Sequence, residues 1–307
     1  MKKRNGENKE AKRPDTSEYH AGTLYVVSTP IGNLQDITLR AIEVLKGVAL
    51  IAAESAMHTK RLCQHYGVRT RLTSYNQHNR KVRGPELIRK LKSGLDIALV
   101  TNAGTPCVSD PGTPLIQDAH QEGIRVTAVP GPSAVTAGLS VSGLPGERFL
   151  FAGFLSNRPT KRKKELEALR QVPWTMIFFE APHRIEATLQ DLREVLGDRR
   201  MVMVREQTKL HEEVFVGPVS SIIDSLDQGE LRGEFTLVVE GMGRASASVS
   251  IDVDTRGTIK RLLREGSSVR DIARRIALER RLPYRLLYRE CLAVKKETMH
   301  RQGQIGG

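Results

Sequence analysis

Three stretches of this chain combine glycine, proline and small polar residues in a way suited to wrapping backbone around a bound molecule. They are Ser28-Thr-Pro-Ile-Gly-Asn-Leu-Gln-Asp36, Asn102-Ala-Gly-Thr-Pro-Cys-Val-Ser-Asp-Pro-Gly112 and Pro130-Gly-Pro-Ser-Ala134, each following an apolar run. Glycine lets backbone approach a ligand closely, and open α/β sheets bind ligands in the loops at the carboxyl ends of their strands. One such loop is ordinary turn chemistry; three at the same kind of position point to a shared site. None reads Gly-x-x-x-x-Gly-Lys-Ser/Thr or Gly-x-Gly-x-x-Gly, so the cradles of a nucleoside triphosphatase and of a nicotinamide dehydrogenase are missing. Cys63, Cys107 and Cys291 are widely spaced and odd in number, which gives neither a zinc pattern nor a disulfide framework, and no metal site is expected.

The elements that must carry these loops alternate from Leu24 onward. β-type runs at Leu24–Ser28, Val48–Ala53, Arg71–Tyr75, Asp96–Val100 and Arg125–Val129 are separated by helical patterns such as Ile37–Lys46 and Pro85–Leu91. That order predicts an α/β fold. Asp36 is expected to cap the first helix and Gly47, a residue tolerant of positive φ, to close it. The texture changes after Gly143-Leu-Pro-Gly146, with strands predicted at Phe149–Leu155, Trp174–Phe179, Met201–Arg205, Val214–Val216 and Phe235–Val239. The expected organisation is a flexible basic arm over 1–21, one α/β domain over 22–146 and a second over 147–242. A linker and a basic helical tail follow over 243–307, with helices near Thr255–Arg264, Val269–Leu278 and Tyr284–Val294.

Composition bounds the partners. The net charge of +13 over 307 residues attracts polyanions, of which RNA is the commonest inside a cell, and 39% hydrophobic residues supply cores for about two domains. The Met-Lys-Lys-Arg start lacks the apolar core of a signal peptide, and no run approaches the ~20 apolar residues of a membrane span, so a cytoplasmic location without membrane partners is expected.

The residues themselves also carry a resemblance. Leu24-Tyr-Val-Val-Ser-Thr-Pro-Ile-Gly-Asn-Leu-Gln-Asp-Ile-Thr-Leu-Arg-Ala41, Ala103-Gly-Thr-Pro106, Ser109-Asp-Pro-Gly112, Val129-Pro-Gly-Pro-Ser-Ala134, Gly153-Phe-Leu155 and Phe179-Glu-Ala-Pro-His-Arg184 resemble the 16S rRNA 2′-O-ribose methyltransferase I family of the tetrapyrrole methylase superfamily. The resemblance implies two α/β domains with S-adenosylmethionine in the cleft between them, a homodimer, and methylation of a cytidine ribose in the decoding centre of the small ribosomal subunit. Carried onto this sequence, it places the cofactor against Gly104, Thr105, Pro106, Val108, Ser109, Asp110, Ser133 and Ala134. From the second half it implies Phe179, Glu180, Arg205, Glu206 and the strand that includes Glu234. Backbone N–H groups after Pro132 suit a carboxylate, and Asp110 suits a cationic sulfur.

Methyl transfer to a ribose hydroxyl needs alignment and a group to take the proton. Glu54, His58, Glu180 and His183 are candidates; Arg184, which does not deprotonate, and the cluster of Lys161, Arg162 and Lys163 are read as phosphate contacts. The chain departs from the family where Glu-Asp-Thr-Arg-His-Thr becomes Glu54-Ser-Ala-Met-His-Thr59 and where an aspartate becomes Asn102. Positions 55, 57 and 102 are expected to form one polar network, neutralised here as a unit. Two rival functions remain at this point. One is a tetrapyrrole C-methyltransferase, disfavoured by the missing Gly-x-Gly-x-Gly in the first loop; the other is a non-catalytic RNA-binding or ribosome-assembly protein.

Overall fold

A computed structural model describes residues 21–226, 232–242, 253–280 and 284–303 of the chain. The expected arm over 1–21 and the linker after 242 fall almost wholly outside them.

Five strands, β1 (Leu24–Val27), β2 (Leu50–Ala53), β3 (Leu72–Ser74), β4 (Ile97–Val100) and β5 (Val126–Val129), form a parallel sheet in the order β3-β2-β4-β1-β5. Every residue of β2 and β4 is buried, as a strand covered on both faces requires. The connection from β1 runs past β4 to β2, while that from β4 runs past β1 to β5. Neighbouring strands whose connections leave in opposite directions open a crevice at their carboxyl ends, and this switch point sets the two longer glycine-rich loops face to face.

Helices α1 (Leu39–Gly47), α2 (Ala56–His65), α3 (Arg80–Lys92), α4 (Thr113–Gln121) and α5 (Ala134–Ser142) complete this half. Thr38, not Asp36, caps α1: its hydroxyl accepts from Ala41 N at 3.1 Å, while Asp36 lies in a preceding 3-10 turn. Gly47 is the last residue of α1 itself, and extended Val48 ends the helix, so positive φ is not needed there.

The second sheet, β6 (Phe149–Phe154), β7 (Thr175–Glu180), β8 (Arg200–Arg205), β9 (Glu213–Pro218) and β10 (Phe235–Val239), runs β6-β7-β10-β8-β9 with only β6 and β7 parallel. Helices α6 (Pro159–Leu169), α7 (Ile185–Leu196) and α8 (Val219–Ser225) bury Leu166, Leu189 and Ile222 with Phe178 and Leu237 in one core. The opposite face is covered by α5, whose Val135 packs with Ile177, Val202 and Val238. A side chain at Gly138 would place its Cβ 2.8 Å from Thr236 Cγ2, so glycine is what lets α5 lie this close to β10. The two sheets are thereby locked together, and the described residues up to Gly241 form one compact unit.

The residues from Met242 form a second unit. In it α9 (Val253–Arg264), α10 (Val269–Arg280) and α11 (Tyr284–Gly303) bury Ile259, Ile272, Ile276, Leu287 and Val294, the apolar positions that their helical spacing requires.

The basic run 158–164 forms the start of α6. Arg162 is 3% exposed, donating from Nε to Asp191 Oδ2 of α7 at 2.6 Å. It belongs to the interior and takes no phosphate. Lys161 and Lys163 remain at the surface, Lys163 paired with Glu194 at 2.6 Å.

Candidate functional site

The three loops converge. Thr29 and Gly104 exchange backbone hydrogen bonds of 2.9 and 3.0 Å, the Thr29 hydroxyl donates to Thr101 O at 3.2 Å, and the Ser28 and Thr105 hydroxyls lie 2.9 Å apart. The loop after β4 turns tightly: Gly104 and Gly112 have positive φ, and so do Cys107 (72°) and Ser109 (63°), where a side chain is strained. Across the crevice the turn after β8 repeats this at Glu206 (52°) and Thr208 (66°). A bulge in β6 turns on Gly153 (φ 65°), where an added Cβ would stand 2.9 Å from Ser109 Oγ. Strain of this kind persists where surrounding structure over-determines it; Gly104 and Ser109 line one cavity, and the other strained positions lie in the segments that frame it.

That cavity, about 410 Å³, lies between the carboxyl edge of the first sheet and the face of the second. Gly104, Thr105, Val108, Ser109, Asp110, Ser133 and Ala134 line one wall; Phe154, Phe179, Glu180, Gln207, Glu234 and Thr236 line the other. Ser133 occupies the N-cap position of α5 but its hydroxyl makes no cap bond, which leaves it free toward the cavity. Two further cavities adjoin. One, about 430 Å³, adds His58, Arg61 and Lys209; the other, about 550 Å³, adds Glu54, His78 and Arg80. Asn102 lines both, and Ser109 and Asp110 are shared by the central cavity and the Glu54 side.

Three carboxylates line the central cavity, in different electrostatic states. Glu180 is buried and saturated: it accepts from Thr188 Oγ1 at 2.6 Å and Ala181 N at 2.8 Å, and Arg184 Nη2 donates to it at 3.2 Å. Glu234 lies 3.0 Å from Lys209 Nζ. Asp110 enters no ion pair among the described residues. Burial and the like charge of Glu54 push its carboxyl up to about 6, against a hydrogen bond from Thr101 that lowers it. Glu54 in turn accepts from Asn102 N at 3.1 Å.

The other sequence candidates scatter. Pro106 is buried behind the loop and absent from the lining, and Glu206 sits one layer back, accepting from Lys209 Nζ at 2.8 Å and Glu234 N at 3.0 Å. Burial alone would raise the Glu206 carboxyl, but these donors hold it below its ordinary value. His58 is exposed at the rim of the Lys209 side, and His183 is exposed on a 3-10 turn outside all three linings. Arg184, expected as a phosphate contact, is instead turned inward to Glu180 and to Leu155 O, 2.5 Å away. Positions 55, 57 and 102 are not one network either. The Ser55 hydroxyl caps α2, Met57 is 78% exposed, and only Asn102 faces the cavities. Phe154 and Gln207 went unassigned by sequence; Phe154 stands inside the Gly153-Phe-Leu155 motif, whereas nothing local marks Gln207.

Comparison with known proteins fits this geometry. Residues 23–223 match the model of the Tetrapyrrole (Corrin/Porphyrin) Methylases. The chain is 41% identical over 271 residues to the ribosomal RNA small subunit methyltransferase I of Bacillus subtilis, covering 87% of this chain and 93% of that one. It is 44% identical over 248 residues to its counterpart in Pseudomonas aeruginosa, covering 80% and 88%. The chain belongs to the ribosomal RNA small subunit methyltransferase I family. Among solved structures, the uroporphyrin-III C-methyltransferase of Thermus thermophilus complexed with S-adenosylhomocysteine superposes with a TM-score of 0.51 at 17% identity, covering 71% of this chain and 97% of that one, a likeness of fold.

As a member of this family the chain is an S-adenosylmethionine-dependent methyltransferase. The central cavity suits that molecule. Its volume lies within the ~300–1,000 Å³ of small-molecule sites. The start of α5 offers backbone N–H groups to a carboxylate, and Phe154 and Phe179 offer apolar ring surface to a purine.

Proposed function

We propose that the protein methylates the 2′-oxygen of a cytidine ribose in the decoding centre of 16S rRNA, acting in the cytoplasm as a homodimer. The observation that carries this reading is the likeness to relatives named ribosomal RNA small subunit methyltransferase I at 41–44% identity over most of both chains. The site supports it physically. The methyl donor, when bound, supplies an electrophilic carbon; the protein's own part is to align the acceptor oxygen with that carbon and keep water out. The flanking cavities carry Arg61 and Arg80, cations suited to the phosphates on either side of a nucleotide, and the net charge of +13 favours approach to RNA. Among the described residues no helix is long and apolar enough to cross a membrane.

The test is to incubate the protein with labelled S-adenosylmethionine and small subunits from a strain lacking this modification, then to locate the label by nuclease digestion and mass spectrometry. Label on a decoding-centre cytidine ribose is the expected outcome. Label on a base, or on no nucleotide while cofactor binding is intact, would overturn it.

A further inference from the structure

Of the three carboxylates that line the central cavity, two are already held by cations. Glu180 is committed to Arg184, Thr188 and a backbone N–H, and Glu234 to Lys209. Both carboxylates are thereby occupied by donors of the protein itself. His183 lies outside the cavity, and His58 is exposed at the rim of the adjoining one. Asp110 differs on each count: it lines the central cavity, it is half-buried, it has no cationic partner among the described residues, and it faces a second carboxylate. It also lines the outer cavity that holds Glu54, where a proton can leave toward water.

We propose that Asp110, supported by Glu54, takes the proton of the substrate hydroxyl during methyl transfer. The assignment rests on the reading of the site as a ribose methyltransferase centre. Asp110 accepts the O–H proton as that oxygen bonds to the methyl carbon, while the sulfur keeps the electron pair of the breaking C–S bond and leaves as the neutral thioether S-adenosylhomocysteine. The Asp110 proton then passes to solvent through the outer cavity. Glu54 acts as a positioning residue: its negative charge makes Asp110 the stronger base, and its bond from Asn102 N fixes it at the end of β2. The charged and titratable groups around Asp110 are Glu54, Cys107 on the same loop, His78 and Arg80 of the outer cavity, and Glu180 and Glu234 of the opposite wall.

Single-turnover methyl transfer to unmodified small subunits, measured across pH, tests the assignment alongside calorimetric binding of S-adenosylmethionine. Wild type is expected to gain rate with a midpoint near pH 6. Asp110→Asn should lose ~100-fold or more of the rate while its cofactor Kd stays within about threefold. Glu54→Gln should move the midpoint to lower pH, because removing a like charge returns Asp110 toward an ordinary carboxylate. A rate for Asp110→Asn within tenfold of wild type, a midpoint unmoved by Glu54→Gln, or loss of cofactor binding in Asp110→Asn would each overturn it, the last by making Asp110 a cofactor-holding group. Wild type that binds S-adenosylmethionine yet transfers nothing would remove the reading of the substrate and this assignment with it, an outcome distinct from a defect confined to the variant.

Discussion

Arg184 is held by Glu180 at the end of β7, across the 3-10 turn Pro182–Arg184: its Nε lies 3.2 Å from one carboxylate oxygen and its Nη2 donates to the other at 3.2 Å. A residue whose spacing reads as a phosphate contact is thereby an internal brace, fixing the end of β7 where the cavity wall turns. Arg184→Ala should strand the buried Glu180 charge at a cost of about 3–5 kcal/mol of stability, measured by urea unfolding. The salt dependence of RNA binding should not change, since no phosphate contact is lost. A reduced salt slope with unaltered stability would return Arg184 to the RNA surface.

Arg162 and Asp191 make the parallel case between α6 and α7, where both Arg162 Nε and Nη2 lie 2.6 Å from Asp191 Oδ2. Arg162→Met alone should destabilise by about 3–5 kcal/mol, whereas Arg162→Met with Asp191→Leu should recover most of the loss because no unpaired charge remains. Chemical denaturation of the two single variants and the double variant gives the coupling directly. Additive losses would show that the pair is not what holds these helices.

The alternation of apolar runs made the strands legible: β10 matches its expected bounds, and the other strands of both sheets fall within two residues or so of theirs. The loops were legible because glycine and proline at the ends of strands have few other uses. What could not be read was the fate of charge. Arg162 and Lys163 are neighbours of the same sign, yet the helical turn buries one and exposes the other, and only the position of α7 decides which. Gln207 escaped for a related reason, since its place in the wall depends on α5 crossing the second sheet. Thr38 displaced Asp36 as a cap because a 3-10 turn intervenes, a matter of two residues that apolar periodicity does not register.

The raised carboxyl of Asp110 makes the fold less stable at neutral pH than in acid. Its folded pKa, about 6, lies above the ordinary 3.8, so the folded protein binds the proton more tightly than the unfolded chain. Asp110 therefore costs stability progressively as pH rises from about 4 to 6, and that cost is constant above. Asp110→Asn should stabilise the fold at pH 7.5 by about 1–2 kcal/mol, allowing for solvent screening of a half-exposed group, and the advantage should vanish below about pH 4. Thermal unfolding across pH checks this; a variant less stable than wild type at pH 7.5 would show that Asp110 is not under electrostatic stress.

The contact between Gly153 and Ser109 offers a test of how the cavity keeps its shape. A Cβ at 153 would stand 2.9 Å from Ser109 Oγ, and φ of 65° there is unfavourable for any side chain. Gly153→Ala should therefore cost about 1–2 kcal/mol through the backbone alone, and it should also press on the loop that carries Asp110. Ser109→Gly removes the hydroxyl and relaxes a left-handed position (φ 63°), so by itself it should leave stability equal or slightly raised. The steric part of the Gly153→Ala defect should then disappear in the double variant, while its backbone part remains. S-adenosylmethionine affinity separates the two, because only the steric push reaches the cavity wall. The expected pattern is weakened binding in Gly153→Ala and near wild-type binding in the double variant. Equal binding defects in both would mean that the β6 bulge, rather than its contact with the loop after β4, sets the shape of the site.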